Sequence, residues 1–188
     1  MQSLPTSSIE HRGIMWLINA ETYVLENITN PQKGSYAILS HTWDDEEVSF
    51  QQYHNMAEAM KLKGFKKIDM TVQLAREKGL KYAWVDTCCI DKSSSAELSE
   101  AINSMFKWYS DAAVCLAFLS DLSNAEIPYL LSAYLSEEDS FKDFEQLEGL
   151  QKSARHLLIR RRWFFRGWTL QELIAPEIVE FYDDSGWH

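Results

Sequence analysis

Apolar residues fall along this chain in short blocks closed off by polar ones, and the spacing inside each block separates strands from helices. Met15-Trp16-Leu17-Ile18 and Tyr23-Val24-Leu25 flank the turn-like Asn19-Ala20-Glu21 and predict a pair of short strands. After Gly34, the run Tyr36-Ala37-Ile38-Leu39-Ser40 is almost continuously apolar, the pattern of a strand buried on both faces. It ends abruptly in His41-Thr42-Trp43-Asp44-Asp45-Glu46-Glu47. From Phe65 to Lys78, the apolar positions Phe65, Ile68, Val72, Leu74 and Ala75 recur at helical spacing, and Gly79 follows as a C-terminal cap. A second apolar run, Tyr82-Ala83-Trp84-Val85-Asp86, comes at once. Ser93-Ser94-Ser95 with Glu97 predicts the start of another helix, with Leu98, Ile102, Met105, Phe106 and Tyr109 on its apolar face and Asp111 at its close. Val114 to Leu119 reads as a third buried strand, and Ile178 to Tyr182, after Pro176, as a fourth.

Strand, helix and strand in this order predict parallel pairing, because only a crossover long enough to hold a helix can join parallel neighbours. The expectation is an α/β fold with a mainly parallel sheet flanked by helices, an N-terminal β extension and an inserted helical or loop region. The insertion falls in residues 121–154, where acidic and apolar residues mix, with Ser136 to Asp143 as an exposed loop. Residues 1–13 are polar and read as flexible. Neither repeats nor low-complexity tracts divide residues 1–188, which read as one domain. The chain stops just beyond a strand, at Ser185-Gly186-Trp187-His188, and the expectation is a domain cut from a longer protein.

In a parallel α/β sheet, ligands bind outside the carboxyl ends of the strands. Those ends are Ser40-His41-Thr42-Trp43, Asp86-Thr87-Cys88-Cys89 and Ser120-Asp121, so polar residues stand where each apolar run stops.

Composition narrows the partners. Hydrophobic residues make up 46% and charged residues 24%, which is a globular balance rather than a disordered one. A formal net charge of −10 disfavours a nucleic-acid backbone. Against that background Arg160-Arg161-Arg162 with Arg166 forms a basic cluster, suited either to ligand phosphates or to an acidic body. Cys88, Cys89 and Cys115 lie in apolar runs and read as buried small hydrophobes, with a Cys89–His41 nucleophile pair as the less favoured reading. The histidines show no zinc-ligand spacing, so no metal is expected. No apolar run reaches membrane-spanning length, and the chain reads as a soluble, reduced, cytoplasmic protein.

The segment Arg166-Gly167-Trp168-Thr169-Leu170-Gln171-Glu172-Leu173 predicts a helix with Leu170 and Leu173 toward a core and Trp168 packed near its start. Glu172 is then left on the flank, either as a solvated helix residue or as a carboxylate aimed into a cleft.

That segment, together with Tyr36-Ala37-Ile38-Leu39-Ser40-His41-Thr42-Trp43 and Trp84-Val85-Asp86-Thr87-Cys88-Cys89-Ile90-Asp91-Lys92, resembles the fungal heterokaryon-incompatibility (HET) domain. Asp44 stands where that family usually has glycine. The resemblance implies an effector of regulated cell death, triggered when genetically different fungal cells fuse. Such domains often precede a nucleotide-binding oligomerisation module in the same chain. More distantly, the HET domain is similar to flavodoxin-like TIR domains, some of which cleave NAD with a glutamate and act as assembled copies. In plant TIR domains that glutamate follows a tryptophan in a Trp-Cys-Leu-x-Glu-Leu helix, which Trp168 to Leu173 match apart from Thr169.

The implied function is an NAD(P) glycohydrolase activated by homo-oligomerisation, with NAD as substrate and no cofactor. Cleaving the nicotinamide–ribose bond passes through an oxocarbenium-like state, and the departing nicotinamide needs no acid because it leaves a cationic ring as a neutral molecule. One carboxylate that stabilises the developing cation suffices, and Glu172 is the candidate. Trp43 and Trp168 are candidate aromatic walls, Ser40, His41 and Asp86 candidate nucleotide contacts, and Arg166 a phosphate partner. The competing reading is a non-enzymatic module that assembles and recruits a partner.

Overall fold

The structure, a computed structural model, describes residues 14–122 and 160–183. The expectations for residues 1–13, for Ser136 to Asp143 and for most of the inserted region lie outside them. Within the described residues, β1 (Ile14–Asn19) and β2 (Leu25–Thr29) form a hairpin, followed by β3 (Tyr36–His41). Two short helices, α1 (Phe50–Tyr53) and α2 (Met56–Ala59), lead into α3 (Phe65–Glu77) and β4 (Tyr82–Trp84). Then come α4 (Ser95–Asp111), β5 (Val114–Leu119), a 3-10 turn (Arg162–Phe165), α5 (Thr169–Ile174) and β6 (Val179–Asp183).

The strands form one six-stranded sheet in the order β2-β1-β4-β3-β5-β6. β3 pairs in parallel with β4 and β5, and β5 with β6, as the strand–helix–strand pattern predicts. The sheet is nevertheless mixed rather than mainly parallel, because β1 adds antiparallel to the outer edge of β4 and carries β2 with it. The N-terminal β extension is thus part of the main sheet. It satisfies the row of backbone groups that β4 would otherwise leave unpaired.

All six residues of β3 and of β5 are buried, which explains their unbroken apolar runs. From β3 the chain crosses to β4 on one side and later returns past β3 to β5 on the other. The four parallel strands therefore follow a doubly wound order, whose ligand crevice lies at the carboxyl ends where the connections diverge. α3 packs on β3 and β4 through Ile68, Val72 and Ala75, and Gly79 closes it at φ +69°. α4 starts where the serines predict, with Ser94 accepting from the Glu97 amide. Of its expected apolar face, Leu98, Met105 and Tyr109 do pack toward the core, joined by Ala101 and Trp108. Ile102 and Phe106 are exposed, because Trp108 and Tyr109 both dock edge-on against Trp84 of β4.

Candidate functional site

Ser40 and His41 close β3, and alternation along the strand sends their side chains to opposite faces. On one face Ser40 meets the segment from the 3-10 turn to α5. Trp163, fully buried, donates its indole N–H to Ser40 Oγ at 2.6 Å, and Ser40 donates to Glu172 Oε2 at 2.5 Å. An indole N–H can only donate, so the single Ser40 proton is committed to Glu172. The segment is pinned further by Thr169 Oγ1 donating to the Trp163 carbonyl at 2.5 Å and by Arg166 donating to the His41 carbonyl.

This anchoring reverses the expected orientation of α5. Thr169 and Glu172 are buried, at 4% and 5% exposure, while Leu170 is 66% exposed and Leu173 and Ile174 also face outward. Trp168 is likewise half exposed rather than packed at the helix start. The physical reason is that six residues make less than two turns, so a short amphipathic helix has little apolar area to orient it. The hydrogen bonds at Ser40 and Trp163 decide its face instead. Glu172 is not a solvated flank residue.

Burial pushes the Glu172 carboxyl above the ordinary range, against the pull of the Ser40 hydrogen bond and the Arg166 charge, and the nearby Asp86 charge adds to the rise. On the other face of β3, His41 is enclosed between two carboxylates. Its Nε2 lies 3.7 Å from Glu47 Oε2 and its Nδ1 3.8 Å from Asp86 Oδ1. Both contacts are of ion-pair rather than hydrogen-bond length. Glu47 is also paired with the buried Lys67, whose ammonium contacts Asp44 at 3.0 Å and the Thr42 carbonyl at 3.1 Å. Burial tends to raise the Glu47 carboxyl, but its contacts with His41 and Lys67 outweigh that and hold it down at about 2. Gly64 permits this loop to close, since a Cβ there would stand 2.8 Å from the Glu46 carbonyl and from Glu47 Cα.

Trp43 completes the cluster from the exposed side. Its indole N–H donates to Asp86 Oδ2 at 2.8 Å, and the Lys92 ammonium lies 4.1 Å from its ring centroid. Lys67, Lys92, Glu47 and Trp163 were not among the residues singled out from sequence. Only the Trp-Val-Asp-Thr-Cys-Cys-Ile-Asp-Lys block hinted at Lys92, by placing it in the loop after β4. The basic cluster divides. Arg161 donates to the Asp121 carbonyl and the Arg162 amide to the Asp121 carboxylate, while the Arg162 guanidinium reaches Asp44 at 3.5 Å. These arginines brace the acidic loops around the site.

All three cysteines are buried, as expected. Burial raises the Cys88 and Cys115 thiols well out of the nucleophilic range, and the Cys89 sulfur accepts from the Val85 amide at 3.4 Å. Among the described residues no group of ligating side chains could hold a metal ion, and no helix is long and apolar enough to cross a membrane. A cleft of about 690 Å³ opens beside the site, lined by Asp44, Lys63, Gly64, Lys67, Phe118 and Ser120 among others. It reaches the carboxyl end of β5 but does not expose Glu172.

The blocks that meet here are those of a known family. The model of the heterokaryon incompatibility protein (HET) family matches residues 36–172, from the first residue of β3 to Glu172, and the chain belongs to that family. It is also 47% identical over 149 residues to vegetative incompatibility protein HET-E-1 of Podospora anserina. That alignment covers 78% of this chain and 10% of the relative, so the chain spans about a tenth of that protein's length. No solved structure matches the chain significantly.

Proposed function

We propose that this chain is the cell-death effector domain of a heterokaryon-incompatibility protein, and that it acts by cleaving the nicotinamide–ribose bond of NAD or NADP. The observation that carries the catalytic part is the Ser40–Glu172 hydrogen bond at the carboxyl end of β3, beside the crevice of a doubly wound order. The same order of parallel strands supports the likeness to TIR domains. Ser40 binds one carboxylate oxygen, which leaves Oε1 to face the anomeric carbon and the ribose hydroxyls. The developing ribosyl cation would be stabilised by the ionised carboxylate in a water-poor setting, where such a charge is worth most. Trp43 and Trp168 present exposed aromatic surface for the rings of the dinucleotide, and the partly buried Asp86 would meet the ribose with His41 enclosed behind it. Arg166 offsets phosphate charge once α5 moves enough to admit substrate.

That movement is required, because Glu172 is only 5% exposed. Self-association is the proposed trigger, in cytoplasm, with a nucleotide-binding oligomerisation module elsewhere in the full chain. Concentrated protein incubated with NAD should release nicotinamide, and the specific activity should rise with concentration or on fusion to an oligomerising tag. Absence of release at every concentration would refute the catalytic reading.

A second reading has its own observation. Leu170, Ile174 and Phe165 are all more than 60% exposed, an apolar surface suited to assembly without chemistry. Under that reading the domain kills by recruiting a partner. NAD levels then stay constant during killing.

A further inference from the structure

Trp43 is half exposed, yet its ring is not free to turn. Its indole N–H is held by Asp86 Oδ2 at 2.8 Å, and Asp86 in turn lies 3.8 Å from His41 Nδ1. The indole plane is therefore fixed relative to the carboxyl ends of β3 and β4. The ammonium of Lys92 sits over one face of that plane, 4.1 Å from the centroid. The Asp86 carboxylate, bonded to the indole N–H, puts a negative charge at the edge of the same ring. An indole face is the strongest aromatic seat for a cation, and adjacent carboxylates deepen it.

We propose that the face of Trp43, framed by Asp86, is a binding seat for a small organic cation, and that Lys92 occupies it as an intramolecular plug. The ligand chemistry is a flat, weakly hydrated cation of the N-alkylpyridinium type. Such a ring can stack on the indole over its whole area, whereas an ammonium offers only a point charge and keeps more of its hydration. The seat thus favours a cationic aromatic ring over its neutral counterpart. That the natural occupant is the oxidised nicotinamide ring of a dinucleotide rests on the catalytic reading above, but the seat itself does not.

Lys92 stands six residues beyond Asp86 in the loop that joins β4 to α4, and its four-carbon stem can swing away without moving either strand. Displacing it costs the ammonium its seat, so the plug sets a threshold that an incoming cation must exceed. A dinucleotide that also binds through its phosphates and adenine exceeds it more readily than a pyridinium alone.

The test uses N1-methylnicotinamide as the cation and nicotinamide as its neutral counterpart, titrated calorimetrically into the 188-residue chain. Neither probe carries a glycosidic bond, so turnover plays no part. Lys92→Met should bind N1-methylnicotinamide about tenfold more tightly than the parent protein, and in preference to nicotinamide. Adding Trp43→Ala to Lys92→Met should abolish that gain, with circular dichroism reporting that both variants remain folded. Equal affinity for the two probes, or no gain in Lys92→Met, overturns the seat. If the Trp43 change unfolds the protein, Trp43→Phe replaces it and should lose most of the gain, because Phe is the weaker cation acceptor and cannot bond Asp86. A seat that holds in a protein that releases no nicotinamide from NAD would refute the catalytic reading alone.

Discussion

Ser40 and Glu172 are 132 residues apart in the chain and joined by a 2.5 Å hydrogen bond in the buried interior. The bond ties the last turn-to-helix segment of the family match to its first strand, so the same contact positions the carboxylate and closes the fold around it. Substitutions that separate these two roles are the most informative.

Glu172→Gln keeps the size of the side chain and an acceptor for Ser40 while removing the charge. NAD cleavage should fall on the order of 100-fold or more, comparable to loss of a preorganised electrostatic group. Stability should move the other way. The folded-state carboxyl lies above its unfolded value of 4.5, so burying the charge destabilises the fold above that range, and the penalty fades as pH falls toward 4.5. Glu172→Gln should therefore be at least as stable as the parent at neutral pH, with the difference shrinking on acidification. Denaturant midpoints between neutral pH and pH 4.5 would check this.

Ser40→Ala removes the donor to Glu172 and the acceptor of Trp163. An unsatisfied buried indole N–H should cost about 1–3 kcal/mol of stability. Without the Ser40 proton the Glu172 charge loses support, so its pKa should climb further. The acid limb of NAD cleavage should then shift to higher pH, which a purely structural role for Ser40 would not produce.

Leu170→Ala, despite the helical spacing of Leu170, should cost no more than about 0.5 kcal/mol, because the side chain is 66% exposed. Trp163→Ala empties a fully buried site and should cost about 3–5 kcal/mol. Thermal or denaturant unfolding of the two variants compares them directly. If Leu170→Ala leaves the fold intact but abolishes killing, the outward face of α5 is an assembly surface.

Glu47 supplies a pH dependence of opposite sign to Glu172. Its folded-state value of about 2 lies below the 4.5 expected when unfolded. The stability it contributes is present above pH 4.5 and is lost as pH falls toward 2. The shift corresponds to on the order of 3 kcal/mol. Glu47→Gln should lose most of that at neutral pH and show a flatter acid-unfolding curve. Lys67→Met should behave similarly, since it leaves the partly buried Glu47 with only His41 and the Asp44 amide as partners.

The strands of this fold were legible because a fully buried strand needs an unbroken apolar run, and Tyr36–Leu39, Tyr82–Trp84 and Val114–Leu119 each supply one. Their parallel pairing followed from the helix-length connections between them. The seam between the N-terminal hairpin and β4 was not legible. Only two register pairs, Ile18 with Ala83 and Asn19 with Tyr82, join them, and edge pairing is made by backbone groups that every sequence carries.

For the site, the sequence by itself determined which polar residues stand at the strand ends, because those positions follow from where the apolar runs stop. It also determined that Glu172 lies on a helix soon after a tryptophan. Which way that helix faces was decided only by tertiary structure. Its apolar residues predicted one face, but Trp163 and Ser40 supply buried polar partners from distant segments and turn the helix to the other. The same holds for Lys67 and Lys92, ordinary surface lysines by sequence, which become site residues through the acidic and aromatic groups folded against them. Hydrophobic patterning is local and can be read along the chain. Hydrogen bonds and charge pairs between distant segments depend on which groups folding brings within about 3 Å of each other, and only the folded chain determines that.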